Sequence, residues 1–258
     1  MIQGLHVFRD FFTGFEDRYT LIGGVACYLS LAEADIDFRA TKDLDIVLSA
    51  EALDAEFAAK FWAFVKAAGY EHQEKSTGEK QFYRFSKPSE PNYPYMLELF
   101  SRKPDAVFLE GKVTLTPIPV DEDVSSLSAI LLEDDYYHCI QAGKTIVDGV
   151  PILSADYIIP FKMRAFCDLT KRKAEGAQVD AKNIKKHKND VLKIAQLLSS
   201  AQTIVVSDVI KVHMKEFILA IKDEPVEMKN LGLAGFTLEG ILEVLVSVYD
   251  LDLEQQLS

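Results

Sequence analysis

Apolar residues recur along this chain with two different periods, and the changes between them divide it. Leu5, Phe8, Phe11, Phe12 and Phe15 fall at helical spacing, which predicts an amphipathic helix ended near Gly14. Arg18–Ile22 reads as a short strand, broken by Gly23 and Gly24, which open a helix through about Ala32. A connector, Ile36–Thr41, leads to a second strand, Asp43–Leu48. Ser49 is expected to cap the next helix, with Glu51 in its first turn. Leu53, Phe57, Phe61, Phe64, Val65 and Ala68 form the buried stripe of that helix, with Trp62 beside it, and Gly69 ends it. From Lys80 to Pro119 the period falls to two, and Gln81–Ser86, Tyr95–Ser101 and Lys112–Thr116 are expected strands. Tyr136–Gln141, Thr145–Val147 and Val150–Leu153 read as further strands in an annex to the first sheet, with Asp148-Gly149 as a hairpin turn.

From Ser154 the helical period returns. Ile158, Phe161, Ala165, Phe166 and Leu169 make one stripe, and Ile184, Val191, Ile194, Ala195 and Leu198 the next. Ile210, Met214, Phe217 and Ile221 make a third, and Leu238, Ile241, Leu242, Leu245 and Tyr249 a fourth. Four amphipathic helices with short connections predict a helical bundle or cap. The expected fold class is α+β, with a mixed-sheet domain over residues 1–153 and a helical domain over 154–258.

Composition narrows the picture. Of 258 residues, 48% are apolar, with 16 Phe and 10 Tyr, so a sizeable core forms. Cys27, Cys139 and Cys167 are widely spaced and form no CxxC pair, which favours a reducing compartment. Arg9 and Asp10 interrupt any secretory signal, and the longest apolar run, about Thr20–Ala32, is too short to span a bilayer. A cytoplasmic protein with no membrane partner is expected. The net charge of −12 argues against bulk, sequence-independent nucleic-acid binding but does not exclude a local basic surface. Such a segment exists: ten Lys/Arg against four acids between Lys162 and Lys193. It is either a solvated helix face or a surface for a polyanion. Asp121-Glu-Asp123 and Glu133-Asp-Asp135 read as solvated loop and helix ends.

The chemistry gathers at Tyr19–Leu48. Asp43 and Asp45 are one residue apart on a strand, so they share a face, and side-by-side carboxylates call for a metal ion or basic groups. Arg39, Lys42 or Lys162 are candidate basic partners if the site is only a salt bridge. The Gly23-Gly24 turn is either a tight turn or a phosphate cradle at a helix N-terminus. Glu98 lies between Met96 and Phe100 on one strand face. It is either an edge-strand acid in water or a third carboxylate beside the aspartates.

These residues resemble a known family. Gly-Gly, a helix and then Arg39-Ala-Thr41-Lys-Asp43-Leu-Asp45-Ile-Val are similar to the signature of the nucleotidyltransferase superfamily. Lys162, Ala165 and KHKNDVLKIAQLL (Lys186–Leu198) resemble the AbiEii-like subgroup, toxins of type IV toxin–antitoxin systems. Gly24 stands where many members carry serine, and the Gly24–Asp43 gap is longer than in compact members. The resemblance implies a nucleotidyltransferase-like N-terminal domain and an enzyme moving a nucleoside monophosphate from an NTP to a hydroxyl acceptor. The acceptor would be an RNA such as tRNA, a protein or a small molecule, and an antitoxin protein is an implied partner. Asp43, Asp45 and Glu98 would be catalytic and hold one or two Mg²⁺. Gly23, Gly24, Thr41, Lys162, Lys188 and Asp190 would bind substrate, the lysines neutralising phosphate. Asp190 would orient a lysine or pair with Lys186 or Lys193 on a helix surface. The alternative is a catalytically degenerate fold acting as a nucleotide- or protein-binding module.

Overall fold

The computed structural model describes residues 2–49, 54–75, 82–100, 116–117, 130 and 133–253. The chain is α+β and forms two compact units. One comprises residues 1–121 and 144–154, the other 122–143 and 155–258.

The first unit is built on one mixed sheet. Its strands are β1 (Tyr19–Ile22), β2 (Asp43–Leu48), β3 (Tyr70–Lys75), β4 (Phe82–Pro88), β5 (Met96–Phe100), β6 (Thr116–Pro117), β7 (Lys144–Val147) and β8 (Val150–Leu153). They lie in the order β6-β3-β4-β5-β2-β1-β8-β7. β2 runs antiparallel to β1 and parallel to β5, and β8 runs parallel to β1. The β7–β8 hairpin is therefore part of the main sheet. Its turn places Asp148 at φ 49 and Gly149 at φ 76, the left-handed pair that a two-residue hairpin needs.

Three helices belong to this unit: α1 (Leu5–Phe11), α2 (Gly23–Glu33) and α3 (Ala55–Ala68). Alternation along the strands sends Tyr19 and Phe85 to one face, where α1 and α3 meet them. Phe8 and Phe12 pack on Tyr19, Phe57 stacks on Tyr19, and Phe61 meets Phe85 edge-on. This aromatic layer is fully buried and sets one side of the sheet. Asp54, not Ser49, caps α3, its Oδ1 accepting from the Phe57 N–H at 2.9 Å. Gly69 ends α3 in the left-handed conformation, as its spacing implied.

The second unit holds α4 (Asp134–Ala142), α5 (Ala155–Ala174), α6 (Ala181–Ala195), α7 (Asp208–Ile221) and α8 (Leu238–Val248), with a 3₁₀ turn at Met228–Leu231. The expected strand at Tyr136–Gln141 is instead the helix α4. Its buried residues Tyr136, Tyr137, Cys139 and Ile140 follow the helical repeat, and Asp134 and Asp135 occupy its first turn. The four stripes expected for the C-terminal helices are largely buried, with Phe166 against Phe217 at 5.1 Å. The expected strand at Lys112–Thr116 lies outside the described residues except for Thr116.

Candidate active site

Strand register brings the site together. Ile22 lies opposite Asp45 across β1–β2, Asp45 opposite Glu98 across β2–β5, and Glu98 opposite Arg84 across β5–β4. One row of side chains thus crosses four strands on the face away from the aromatic layer. The glycine turn adjoins it. Gly23, directly after Ile22, has φ +66, and a β-carbon there would overlap Asp45 Oδ2. At Gly24 a β-carbon would lie 2.6 Å from Thr41 Oγ1. Gly23 is held to glycine by its left-handed φ and by Asp45 against it, whereas a side chain at Gly24 would require Thr41 to shift. The start of α2 has no side-chain cap among the described residues and no acid in its first turn.

Glu98 is 6% exposed, on a strand flanked on both sides, so it is not an edge-strand acid in water. Arg84 Nε and Nη2 both donate to Glu98 Oε1, each at 2.8 Å. The Glu98 carboxyl also hydrogen-bonds the Asp45 side chain. Burial first, and the Asp45 charge second, push Glu98 up to about 8 against the pull of Arg84. Burial and the neighbouring Asp45 charge thus favour the protonated form of Glu98, while Arg84 favours its carboxylate. Arg84 is the residue that reading the sequence missed. It stands on β4, 14 positions before Glu98, and only strand pairing makes them neighbours.

Asp43 is half-buried on the same face as Asp45, opposite Met96. The carboxylate oxygens of Asp45 and Glu98 suit a hard divalent cation. Among the described residues, however, no group of three or more His, Cys, Asp and Glu is placed to hold a metal ion. The structure gathers two of the three expected ligands.

The remaining expected site residues are in the second unit. Lys162 is 6% and Asp190 2% exposed, and Lys162 Nζ donates to Asp190 Oδ2 at 3.0 Å. Asp190 thus orients a lysine, and it is Lys162, across from α6 on α5, rather than Lys186 or Lys193. Lys188 pairs with Glu224.

No family model matches this sequence, and no curated protein does. Several solved structures are similar in fold. One is an antigenic nucleotidyltransferase-like protein from Paracoccidioides brasiliensis, 13% identical over 92% of this chain and 94% of that one, with a TM-score of 0.43. Another is the Megavirus polyadenylate synthase, 12% identical over 85% of this chain and 37% of that one, with a TM-score of 0.41. The chain thus spans little more than a third of that protein. The antibiotic-resistance factor ANT(2'')-Ia is 11% identical over 83% of this chain and 90% of that one, with a TM-score of 0.36.

Proposed function

We propose that this protein is a nucleotidyltransferase, moving a nucleoside monophosphate from an NTP to a hydroxyl acceptor. The observation that carries the reading is the meeting of Asp45, Glu98 and the Gly23-Gly24 turn on one sheet face. Carboxylates beside backbone N–H groups at a helix start are what a triphosphate and its counter-ion require. Asp43 and Asp45, with Glu98, would hold one or two Mg²⁺, which would neutralise phosphate charge there. Gly23, Gly24 and the Thr41 hydroxyl would meet phosphate oxygens. Asp45 or Glu98 would accept the proton of the attacking hydroxyl. Lys162 and Asp190 serve as a buried tie between helices in this scheme, and Lys188 would have to leave Glu224 to reach a phosphate.

The acceptor, RNA or protein, and the AbiEii-like toxin role with an antitoxin partner belong to the same proposal and rest on the sequence motifs. The test is incubation of the full chain with α-labelled NTPs, Mg²⁺, total RNA and total protein. One pool should become labelled, with pyrophosphate released. Asp43→Asn and Asp45→Asn should each lower the rate about a thousandfold. Unchanged rates in both variants would falsify the site.

A second reading has an observation in its favour. Arg84 already supplies a positive charge to the carboxylate pair, as it would in a degenerate fold that binds nucleotide without transfer. Calorimetry separates the two: Mg-NTP binding without pyrophosphate release supports the binding module.

A further inference from the structure

Of the ten cations between Lys162 and Lys193, the structure ties up several. Lys162 is on Asp190, Arg164 on Glu133, Arg172 on Asp168 and Lys188 on Glu224. Five of the other six, Lys171, Lys173, Lys182, Lys185 and Lys186, stand at one place, and Arg172 stands with them. α5 ends at Ala174 and α6 begins at Ala181, and residues 175–180 join them in a tight turn. Arg172 accepts from the Ala177 N–H, and Gly176 faces open space at φ +94. Lys171, Arg172 and Lys173 lie in the last turn of α5, and Lys182, Lys185 and Lys186 in the first turns of α6. Six cations thus flank this tip, with Glu175 and Asp180 as the acids between them. Asp180 is committed to the helix cap, accepting from the Lys182 N–H at 2.9 Å. Lys171, Lys173, Lys182 and Lys185 are exposed.

Folding accounts for only half of this arrangement. Cations in the last turn of α5 complement the helix dipole, but lysines at the start of α6 oppose it. Lys182 also sits three and four residues from Lys185 and Lys186, where like charges repel. A local cost of this kind, in a chain of net charge −12, fits a surface made for a polyanion. Among the described residues, no large apolar side chain is exposed between residues 147 and 204, so nothing at the tip would insert into a lipid surface. Nor does an aromatic ring stand there to stack on a base.

We propose that the α5–α6 tip binds the phosphodiester backbone of a nucleic acid without reading its bases. This surface goes beyond the transfer reaction and does not depend on it. The test is fluorescence anisotropy of the full-length protein with a labelled RNA hairpin and, in a parallel arm, a labelled DNA duplex, from 50 to 300 mM salt. Wild type should bind with an affinity that falls steeply with salt, a log–log slope of about −4 for duplex contacts. Lys182→Gln/Lys185→Gln should lower the slope by about 2 and weaken binding tenfold or more at 100 mM salt. Its thermal midpoint should be unchanged or raised, because the variant removes cations from a helix start. Binding in both arms supports a backbone site, and binding in the RNA arm alone supports it with RNA as the source. Absence of binding at 50 mM salt, equal binding by the variant, or equally tight binding of poly-glutamate overturns it.

Discussion

At the scale of single residues, the most consequential contact is that of Arg84 with Glu98. Both are largely buried, at 15% and 8% side-chain exposure, so removing the cation strands a carboxylate pair in the interior. Arg84→Met should cost about 3–5 kcal/mol of stability, read by urea unfolding, and adding Glu98→Gln should recover much of it. Additive losses in the double variant would show that the two groups are not partners. Gly23 makes the same point sterically. At φ +66 and against Asp45, Gly23→Ala should displace the Asp45 carboxylate and lower the proposed nucleotide transfer at least as far as Asp45→Asn does. The Gly-Gly and the Asp-x-Asp pattern were legible in the sequence because they are local. Arg84 was not, because a lone arginine in YRFS carries no local sign of its partner.

At the scale of elements, β2 was read with the bounds the structure gives it, Asp43–Leu48, since polar and apolar residues alternate from Asp43 to Ile46 and Val47 and Leu48 continue the apolar run. β3 was not anticipated: its sequence, YEHQEK, has no apolar alternation, and pairing with β4 and β6 makes it a strand. α4 was misread because Tyr, Ile and Cys favour strands by composition, whereas burial on a helical repeat decided otherwise. The tie between α5 and α6 is the buried Lys162–Asp190 pair. Lys162→Met should destabilise the protein by about 3–5 kcal/mol, and Lys162→Met/Asp190→Leu by far less, as measured by the urea midpoint. Equal losses would mean that the pair contributes more than charge compensation.

At the scale of the whole molecule, pH enters through both units, through Glu98 in the first and His213 in the second. Tyr136 Oη and His213 Nδ1 are 3.0 Å apart, and the rings stack. Burial, followed by the Arg164 charge, lowers His213 from 6.5 to about 4, against a weaker pull from Asp135. The unfolded chain therefore takes this proton before the folded one does. The stability contribution is full above about 6.5 and is lost as pH falls toward 4. The buried Glu98 carboxyl, pushed up to about 8, works the other way over this range, so the His213 share is read as a difference between proteins. From pH 7.5 to 5.0 the wild type should lose stability relative to His213→Gln, measured by urea midpoints followed by helical circular dichroism, and a constant difference between the two would place that acid sensitivity elsewhere. No helix among the described residues is long and apolar enough to cross a membrane, in keeping with the mixed charge along the surface.

The sequence alone determined the α+β class, the run of C-terminal helices, the glycine turn and the shared face of Asp43 and Asp45. Each follows from residues within a turn or two of one another, where period and sterics act without the rest of the chain. Tertiary structure decided which charges meet. It placed Glu98 beside Asp45 and under Arg84, it closed Lys162 onto Asp190, and it left the lysines of the α5–α6 tip exposed. Those outcomes depend on strand register and helix packing between distant segments, and burial then sets how strongly each charge is felt.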